Sequence, residues 1–217
     1  MIVAIDGPAG VGKSTVARFV ADRFGFFNLN SGSFYRAVSL RALEKGIGAD
    51  DQAELTELAG SLDLDIKEGR LHLDGADVED KLRSDAIESM VPTVSACVPV
   101  RRIVNDHIRR ITAGMDVVAE GRDMTSVVFP HGEVKLFLDA SPMARAERRF
   151  RQGTSELSLE EIARSIEERD KIDRNKEEGS LKITEEAEYL DTSDLTLEEV
   201  CEKVSGKIKE YIVDPGE

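Results

Sequence analysis

A glycine-rich octapeptide near the start of the chain constrains its fold more than any other feature. Residues 7–14 read G-P-A-G-V-G-K-S, which follows the pattern G-x-x-x-x-G-K-S. An apolar run of strand length precedes it at residues 2–6, and apolar residues recur at helical spacing after it, over residues 15–24. A strand, a glycine loop and a helix in this order form the setting of a phosphate-binding P-loop. The alternative is a glycine-rich turn before an ordinary helix, and both flanking segments count against it.

The chemistry of this loop follows from its geometry. Glycines let the backbone turn with its N–H groups facing inward, and the helix that begins at Lys13 directs the positive end of its dipole at the same point. We expect Lys13 to reach the β- and γ-phosphates of a nucleoside triphosphate and the Ser14 hydroxyl to bind Mg²⁺. The predicted triphosphate-binding residues are Gly7, Pro8, Ala9, Gly10, Val11, Gly12, Lys13, Ser14 and Thr15.

Charge and composition narrow the possible partners. The formal net charge of −14 over 217 residues argues against a nucleic-acid polymer or an anionic membrane, because both require a basic face. Hydrophobic residues make up 41% of the chain, enough for a buried core, but no apolar run approaches membrane-spanning length. Cys97 and Cys201 do not have the spacing of metal ligands. The sequence leads directly into the first strand, without the pattern of a signal peptide. We therefore expect free thiols and a cytoplasmic location.

Polar residues follow two of the remaining strand-like segments. Residues 26–29 lead into Ser31 and Arg36, and residues 116–120 lead into Arg122 and Asp123. In parallel α/β sheets, ligands bind at the carboxyl ends of the strands. Ser31 as a helix cap and Arg36 as a solvated arginine are the structural alternatives. For Arg122 and Asp123 we favour an anion clamp and an acid that reads the substrate.

The middle of the chain departs from the strand–helix alternation. Residues 64–78 alternate apolar and polar residues around glycine turns, which predicts a small antiparallel meander inserted into the main α/β fold. Pro92 is expected to end the next helix and to leave Thr93 and Ser95 in a connector. An amphipathic helix then runs from about residue 100 to 113, and its four arginines, at positions 101, 102, 109 and 110, are expected to be mostly solvated.

A basic segment stands out in this acidic chain. A helix starting at Ser141 or Pro142 carries Arg145, Arg148, Arg149 and Arg151. We interpret residues 148–158 as a mobile lid that covers phosphates; the alternative is a surface helix that balances nearby acids. Ser158 and Glu161 then predict a capping box at the start of the following helix.

Together these segments resemble the bacterial cytidylate kinases, which are P-loop nucleoside-monophosphate kinases. The resemblance covers nearly the whole chain, and its most specific marks are G-R-D-M at 121–124, V-V-F-P at 127–130, and R-D at 169–170 with Asp173. It implies an α/β P-loop fold of three layers, with a central parallel five-stranded sheet flanked by helices and a small antiparallel β insert in the monophosphate-binding region.

The implied organisation is a single nucleoside-monophosphate kinase domain over residues 1–217. The core would comprise residues 1–30, 114–147 and 159–217. The monophosphate-binding region would span 31–113 with its β insert at 63–80, and the lid would span 148–158.

The resemblance also implies the reaction. An ATP-dependent enzyme, expected to be a monomer, would transfer the γ-phosphoryl group of ATP to CMP or dCMP with Mg²⁺ as cofactor. The alternatives are a P-loop kinase of another small acceptor, such as a different monophosphate or shikimate, and a nucleotide-switch module. A GTPase switch would need a late N-K-x-D motif, which N-K-E-E at 175–178 does not supply.

Single positions receive roles from the same resemblance. Ser31, Arg36 and Arg122 would hold the monophosphate, while Arg102, Asp123 and a connector hydroxyl would read cytosine. That hydroxyl falls on Thr93, or on Ser95 if the alignment has a gap. Arg169 and Asp173 would bind the ribose, and Arg148 and Arg149 would close over the phosphates. The implied catalytic residues are Lys13, Arg122, Arg148 and Arg149.

The chain departs from the family pattern at three positions. Asn30 stands where an aspartate is usual, Lys176 where an arginine is usual, and Ser180 where a proline is usual. Lys176 keeps the positive charge of the CMP-binding arginine but loses its planar fork.

Overall fold

The structure, a computed structural model, describes residues 1–151, 153 and 157–213. The chain forms two compact units, Met1–Leu29 with Met115–Glu217 and Asn30–Gly114. Part of the predicted lid, residues 152 and 154–156, and the tail at 214–217 lie outside the described residues.

The first unit is built on a five-stranded parallel sheet. Its strands, in the spatial order β2-β6-β1-β7-β8, are β1 (Ile2–Asp6), β2 (Phe27–Asn30), β6 (Val117–Gly121), β7 (Val134–Asp139) and β8 (Glu188–Asp191). In the pairing register, Asp6 lies beside Gly121 of β6 and Phe137 of β7. The carboxyl ends of the three central strands therefore share one edge of the sheet, and the P-loop leaves from that edge.

Helices cover this sheet. They are α1 (Lys13–Phe24), α6 (Pro142–Arg151), α7 (Leu159–Arg174) and α8 (Leu197–Val213), and a π-helical turn spans Met124–Val128. The central strands are buried on both faces, as expected for continuous apolar runs in a parallel sheet. One buried cluster joins Val3 and Ile5 of β1 to Val16 and Val20 of α1 and to Val204 of α8. The predicted α/β fold with its parallel sheet is confirmed.

The second unit combines four helices with a small sheet. The helices are α2 (Ser31–Glu44), α3 (Gln52–Ser61), α4 (Asp85–Ala96) and α5 (Val98–Thr112), with a 3₁₀ turn at Glu79–Lys81. The sheet joins β3 (Leu64–Lys67), β4 (Arg70–Leu73) and β5 (Ala76–Asp77) in antiparallel order. Both two-residue turns have positive φ throughout, 54° and 74° at residues 68–69 and 52° and 80° at residues 74–75. Such turns match the twist of a hairpin, and the predicted meander is confirmed.

The expected helix break at Pro92 is wrong. Helix α4 continues through Pro92 to Ala96, so Thr93 and Ser95 are helical and only Cys97 separates α4 from α5. An interior proline costs a helix about 3 kcal/mol. Each buried apolar side chain contributes about 1.5–3 kcal/mol, and α4 buries Ile87, Met90, Val91 and Val94. Packing therefore outweighs the missing hydrogen bond.

Most of the α5 arginines are exposed, as expected, and Arg101 is the exception. Its side chain is fully buried, while Arg102, Arg109 and Arg110 are exposed. Arg101 Nη1 donates to the Ser95 carbonyl over 2.7 Å, and its guanidinium lies 5.4 Å from the centre of the Tyr35 ring. A carbonyl and an aromatic face thus replace the water that helical periodicity alone predicts around this charge.

Candidate active site

The P-loop adopts a conformation that only glycine accommodates. Gly7, Gly10 and Gly12 have φ values of 155°, 79° and 100°. A Cβ atom on Gly7 would lie 2.1 Å from the Leu138 carbonyl oxygen. Helix α1 begins directly after Gly12, so the loop backbone lies at its N-terminus, where free N–H groups and the helix dipole favour an anion.

Lys13 is buried inside this loop. Its Nζ atom donates to the carbonyl oxygens of Gly7 and Pro8, each over 2.8 Å. Burial, assisted by the positive charge of Arg122, lowers the pKa of Lys13 to about 7. The predicted phosphate-binding lysine therefore sits on the loop itself, with a charge that a bound triphosphate would stabilise.

Ser14 leads to an acidic residue that the sequence reasoning missed. The Ser14 hydroxyl donates to Glu120 Oε1 over 2.6 Å, and Glu120 is buried at the end of β6. Pairing of Ile5 with Glu120 across the sheet brings this carboxylate to the P-loop, which no local motif reveals. A hydroxyl and a carboxylate are the hard oxygen ligands that Mg²⁺ prefers, with water and phosphate oxygens completing the shell. These two side chains fit the metal.

Asp6 anchors the turn that follows Arg122 and Asp123. It accepts hydrogen bonds from the N–H groups of Met124 and Thr125, each over 2.8 Å, and from the Thr125 hydroxyl over 2.6 Å. Burial raises the pKa of Asp6 to about 6, although these hydrogen bonds favour the ionised form. The last residue of β1 therefore connects the strand before the P-loop to the G-R-D-M turn.

Three of the expected substrate-binding residues form one charged cluster. Arg122 Nε donates to Asp173 Oδ2 over 2.8 Å, and Lys176 Nζ donates to Asp173 Oδ1 over 2.7 Å. Burial alone would raise the pKa of Asp173, but the two cations hold it well below its ordinary value. Asp173 in turn raises the pKa of Arg122 despite burial of the guanidinium. Asp123, the residue after Arg122, is also buried, and Arg169 is half-buried on α7.

Arg148 contacts the P-loop and the segment that follows β8. Its Nη1 atom donates to the Thr192 hydroxyl over 3.0 Å and to the Val11 carbonyl over 3.4 Å, and Nη2 donates to the Thr192 carbonyl. Arg149 follows it on α6, half-buried. The lid assigned to 148–158 stays a prediction, since four of its residues lie outside the described part of the chain.

The second unit holds the other expected acceptor residues. Ser31 is buried as the first residue of α2, and Asn30 occupies the cap position, which counts against the structural alternative that Ser31 is only a helix cap. Arg36 Nε donates to Glu88 Oε1 over 2.6 Å. A Cβ on Gly32 would lie 2.8 Å from Arg36 Nη1, so the missing side chain admits the guanidinium beside the helix start. This N-terminus suits a phosphate.

The two candidate connector hydroxyls differ in exposure. Ser95 is buried and donates to the Pro92 carbonyl over 3.1 Å, whereas Thr93 is exposed. Arg102, the expected cytosine reader of this unit, is exposed on α5.

The P-loop, the parallel sheet and the Arg122–Asp173–Lys176 cluster beside them in one unit define a P-loop kinase. Residues 3–210 match the sequence profile of the cytidylate kinase family. Cytidylate kinase from Thermodesulfovibrio yellowstonii is 41% identical, covering 96% of this chain and 98% of the relative. Cytidylate kinase from Fusobacterium nucleatum is 38% identical, covering 96% and 97%. The chain therefore belongs to the cytidylate kinase family.

The structural comparison agrees on the fold. Shikimate kinase from Bacteroides thetaiotaomicron superimposes with a TM-score of 0.51 at 10% identity, over 99% of both chains, a likeness that concerns the fold alone. Family membership confirms the expected ATP-dependent kinase. It favours CMP or dCMP as the acceptor over the two alternatives, a kinase of another small acceptor and a nucleotide switch. Within the described residues, no helix is long and apolar enough to span a membrane.

Proposed function

We propose that this member of the family transfers the γ-phosphoryl group of ATP to CMP or dCMP through the expected site residues described above. The observation that carries the assignment is the P-loop with Lys13 buried within it, in the same unit as the Arg122–Asp173–Lys176 cluster. ATP would bind along residues 7–15, with its phosphates facing the start of α1.

The chemistry requires positioning and charge neutralisation. The acceptor is already an ionised phosphate oxygen, so no general base is needed. Lys13 and Arg122 would stabilise charge on the transferring group, and Arg148 and Arg149 would contribute from α6. Arg148 already contacts the Val11 carbonyl, which supports its place beside the donor.

Mg²⁺ would be held by the Ser14 hydroxyl, with Glu120 accepting from the hydroxyl or from metal-bound water. When bound, the ion would supply positive charge that neutralises the phosphates of ATP. The oxygen chemistry of both side chains and their 2.6 Å contact support this assignment.

Each unit carries residues that we propose for acceptor binding. In the first unit Arg122 would hold the phosphate, Asp123 and Lys176 would contact the base, and Arg169 and Asp173 would contact the ribose. In the second unit Ser31 and Arg36 would hold the phosphate, and Arg102 would face the base. Thr93 is the favoured base-reading hydroxyl of α4, because the Ser95 hydroxyl already donates to the Pro92 carbonyl of the same helix. We also propose that the protein is a monomer in the cytoplasm. The free thiols of the two buried cysteines agree with a reducing compartment.

The direct test is an ADP-release assay across the common nucleoside monophosphates with Mg-ATP. CMP and dCMP should give the highest kcat/KM, and UMP should be poorer because its base reverses a donor and an acceptor. Equal rates with all monophosphates, or ADP release independent of an acceptor, would refute the assignment. Omitting Mg²⁺ should abolish the activity.

A further inference from the structure

Arg145 lies where three segments of the first unit meet. Its side chain is only 3% exposed. Nε donates to the Ala140 carbonyl, directly after β7, over 2.9 Å, and Nη1 donates to the Ala9 carbonyl in the P-loop over 3.1 Å. No role in the phosphoryl transfer described above uses this arginine.

Asp170 of α7 completes the contact. Its carboxylate accepts from Arg145 Nη1 over 3.1 Å and from Nη2 over 2.6 Å, and its side chain is 13% exposed. Two-point arginine–carboxylate pairs fix orientation as well as distance. The helices around the pair are also packed together, through Ala146 of α6 and Ile162 and Ile166 of α7.

The contact with Ala9 fixes more than one atom. A peptide group is planar and trans, so orienting the Ala9 carbonyl also orients the N–H of Gly10 in the opposite direction. That N–H therefore points away from Arg145. Gly10 has a φ of 79°, and a Cβ there would lie 3.4 Å from Arg145 Cβ, so the loop rests closely on α6 at this point.

We propose that Arg145 and Asp170 are positioning residues that hold the tip of the P-loop in its phosphate-binding conformation. Arg145 sets the Ala9–Gly10 peptide, and Asp170 sets Arg145. Asp170 also lies between Arg169 and Asp173 on α7, so the helix that carries the acceptor residues and the loop that binds the donor share one support. The inference rests on the proposed function for the location of the triphosphate.

Two variants separate positioning from mere structural support. Asp170→Asn keeps the shape of the side chain but removes its charge. Arg145→Met with Asp170→Leu replaces the whole pair by apolar side chains, a change that buried pairs often tolerate without loss of stability. Glu167→Gln is the matched control, because it removes an exposed charge from the same helix. Each variant is first checked for folding by thermal unfolding and circular dichroism.

The readouts are the Kd for ATP measured by calorimetry without an acceptor, and kcat and KM with CMP. We expect ATP affinity to fall about tenfold and kcat about 10- to 100-fold in both variants well below their unfolding temperatures, since small displacements of a reacting group have effects of this size. KM for CMP should change less than the Kd for ATP.

Any folded variant of the pair with ATP affinity and kcat within about threefold of wild type would overturn the proposal. Asp170→Asn decides alone if the double variant does not fold. Failure of the wild type to phosphorylate CMP would instead count against the proposed function, because ATP binding is measured without an acceptor.

Discussion

The expected substrate-binding residues of the two units differ in how they are held. In the first unit, the side chains of Asp173 and Lys176 are 5% and 3% exposed, and Arg122 completes a closed cluster with them. In the second unit, Arg36 pairs with Glu88 at side-chain exposures of 21% and 30%, and Thr93 and Arg102 are exposed.

This difference has a physical consequence. Water screens the half-buried Arg36–Glu88 pair more than the buried Asp173 carboxylate, so this pair contributes less to stability and can rearrange when a ligand arrives. Buried charges are held by partners whose removal leaves another charge unpaired. The first unit therefore offers a preorganised electrostatic environment, and the second offers groups that a monophosphate itself can order.

The largest expected effect is on the donor side of the first unit. Lys13→Ala should lower kcat at least about 100-fold, because loss of charge stabilisation in such a site costs about 3 kcal/mol or more. The protein should stay folded, since alanine removes a buried cation. Steady-state kinetics and thermal unfolding test this, with Lys203→Ala on the exposed face of α8 as control. A near-normal kcat would remove Lys13 from the mechanism.

The free energy of unfolding should distinguish the Arg122–Asp173 pair from the Arg36–Glu88 pair. Arg122→Ala should lower the free energy of unfolding by about 3 kcal/mol, because Asp173 stays buried with one cation fewer. Arg36→Ala should lower it by about 1 kcal/mol or less, because water replaces the lost partner of Glu88. Urea unfolding of both variants measures the difference. Equal losses would mean that the two clusters are held alike.

The preference for CMP over UMP tests whether the buried Asp123 reads the base. An ionised aspartate only accepts hydrogen bonds, so it suits the cytosine amine and opposes the uracil carbonyl. Asp123→Asn can donate to uracil, and the preference for CMP over UMP in kcat/KM should narrow about tenfold or more. The comparison variant is Asp173→Asn, which should lower kcat/KM for CMP and for UMP by the same factor.

An unchanged CMP-to-UMP ratio in Asp123→Asn would assign this residue to supporting Arg122. The base would then be read elsewhere, for example by the exposed Arg102 of the second unit.

The smallest expected signal is a proton. Lys13 has a pKa of about 7 in the free protein, so at pH 8 it is mostly neutral, and bound phosphates should raise its pKa and draw in about one proton. Calorimetry of ATP binding at pH 8 in buffers of different ionisation enthalpy measures this uptake. Lys13→Met should abolish it, and buffer-independent enthalpies in the wild type would contradict the lowered pKa.

Local chemistry accounts for the parts that the sequence predicted well. The P-loop depends on glycines whose φ values other residues avoid, the meander on two-residue turns, and the start of α7 on the Ser158–Glu161 capping box. Each is decided within a few residues, so a short pattern is enough. The α4 helix escaped the same reasoning because buried side chains along its whole length oppose one local breaker.

By itself, the sequence determined the strand–loop–helix unit, the alternation of strands and helices, and the residue types that suit a phosphate. Only the tertiary structure decided which charges are buried and with whom. Arg101 and Arg145 look like solvated arginines on amphipathic helices, yet both are buried against carbonyl groups. Glu120 reaches Ser14 through strand pairing, and the pKa of Lys13 depends on burial by its surroundings. Desolvation and long-range pairing arise from residues far apart in the chain, so no local pattern encodes them.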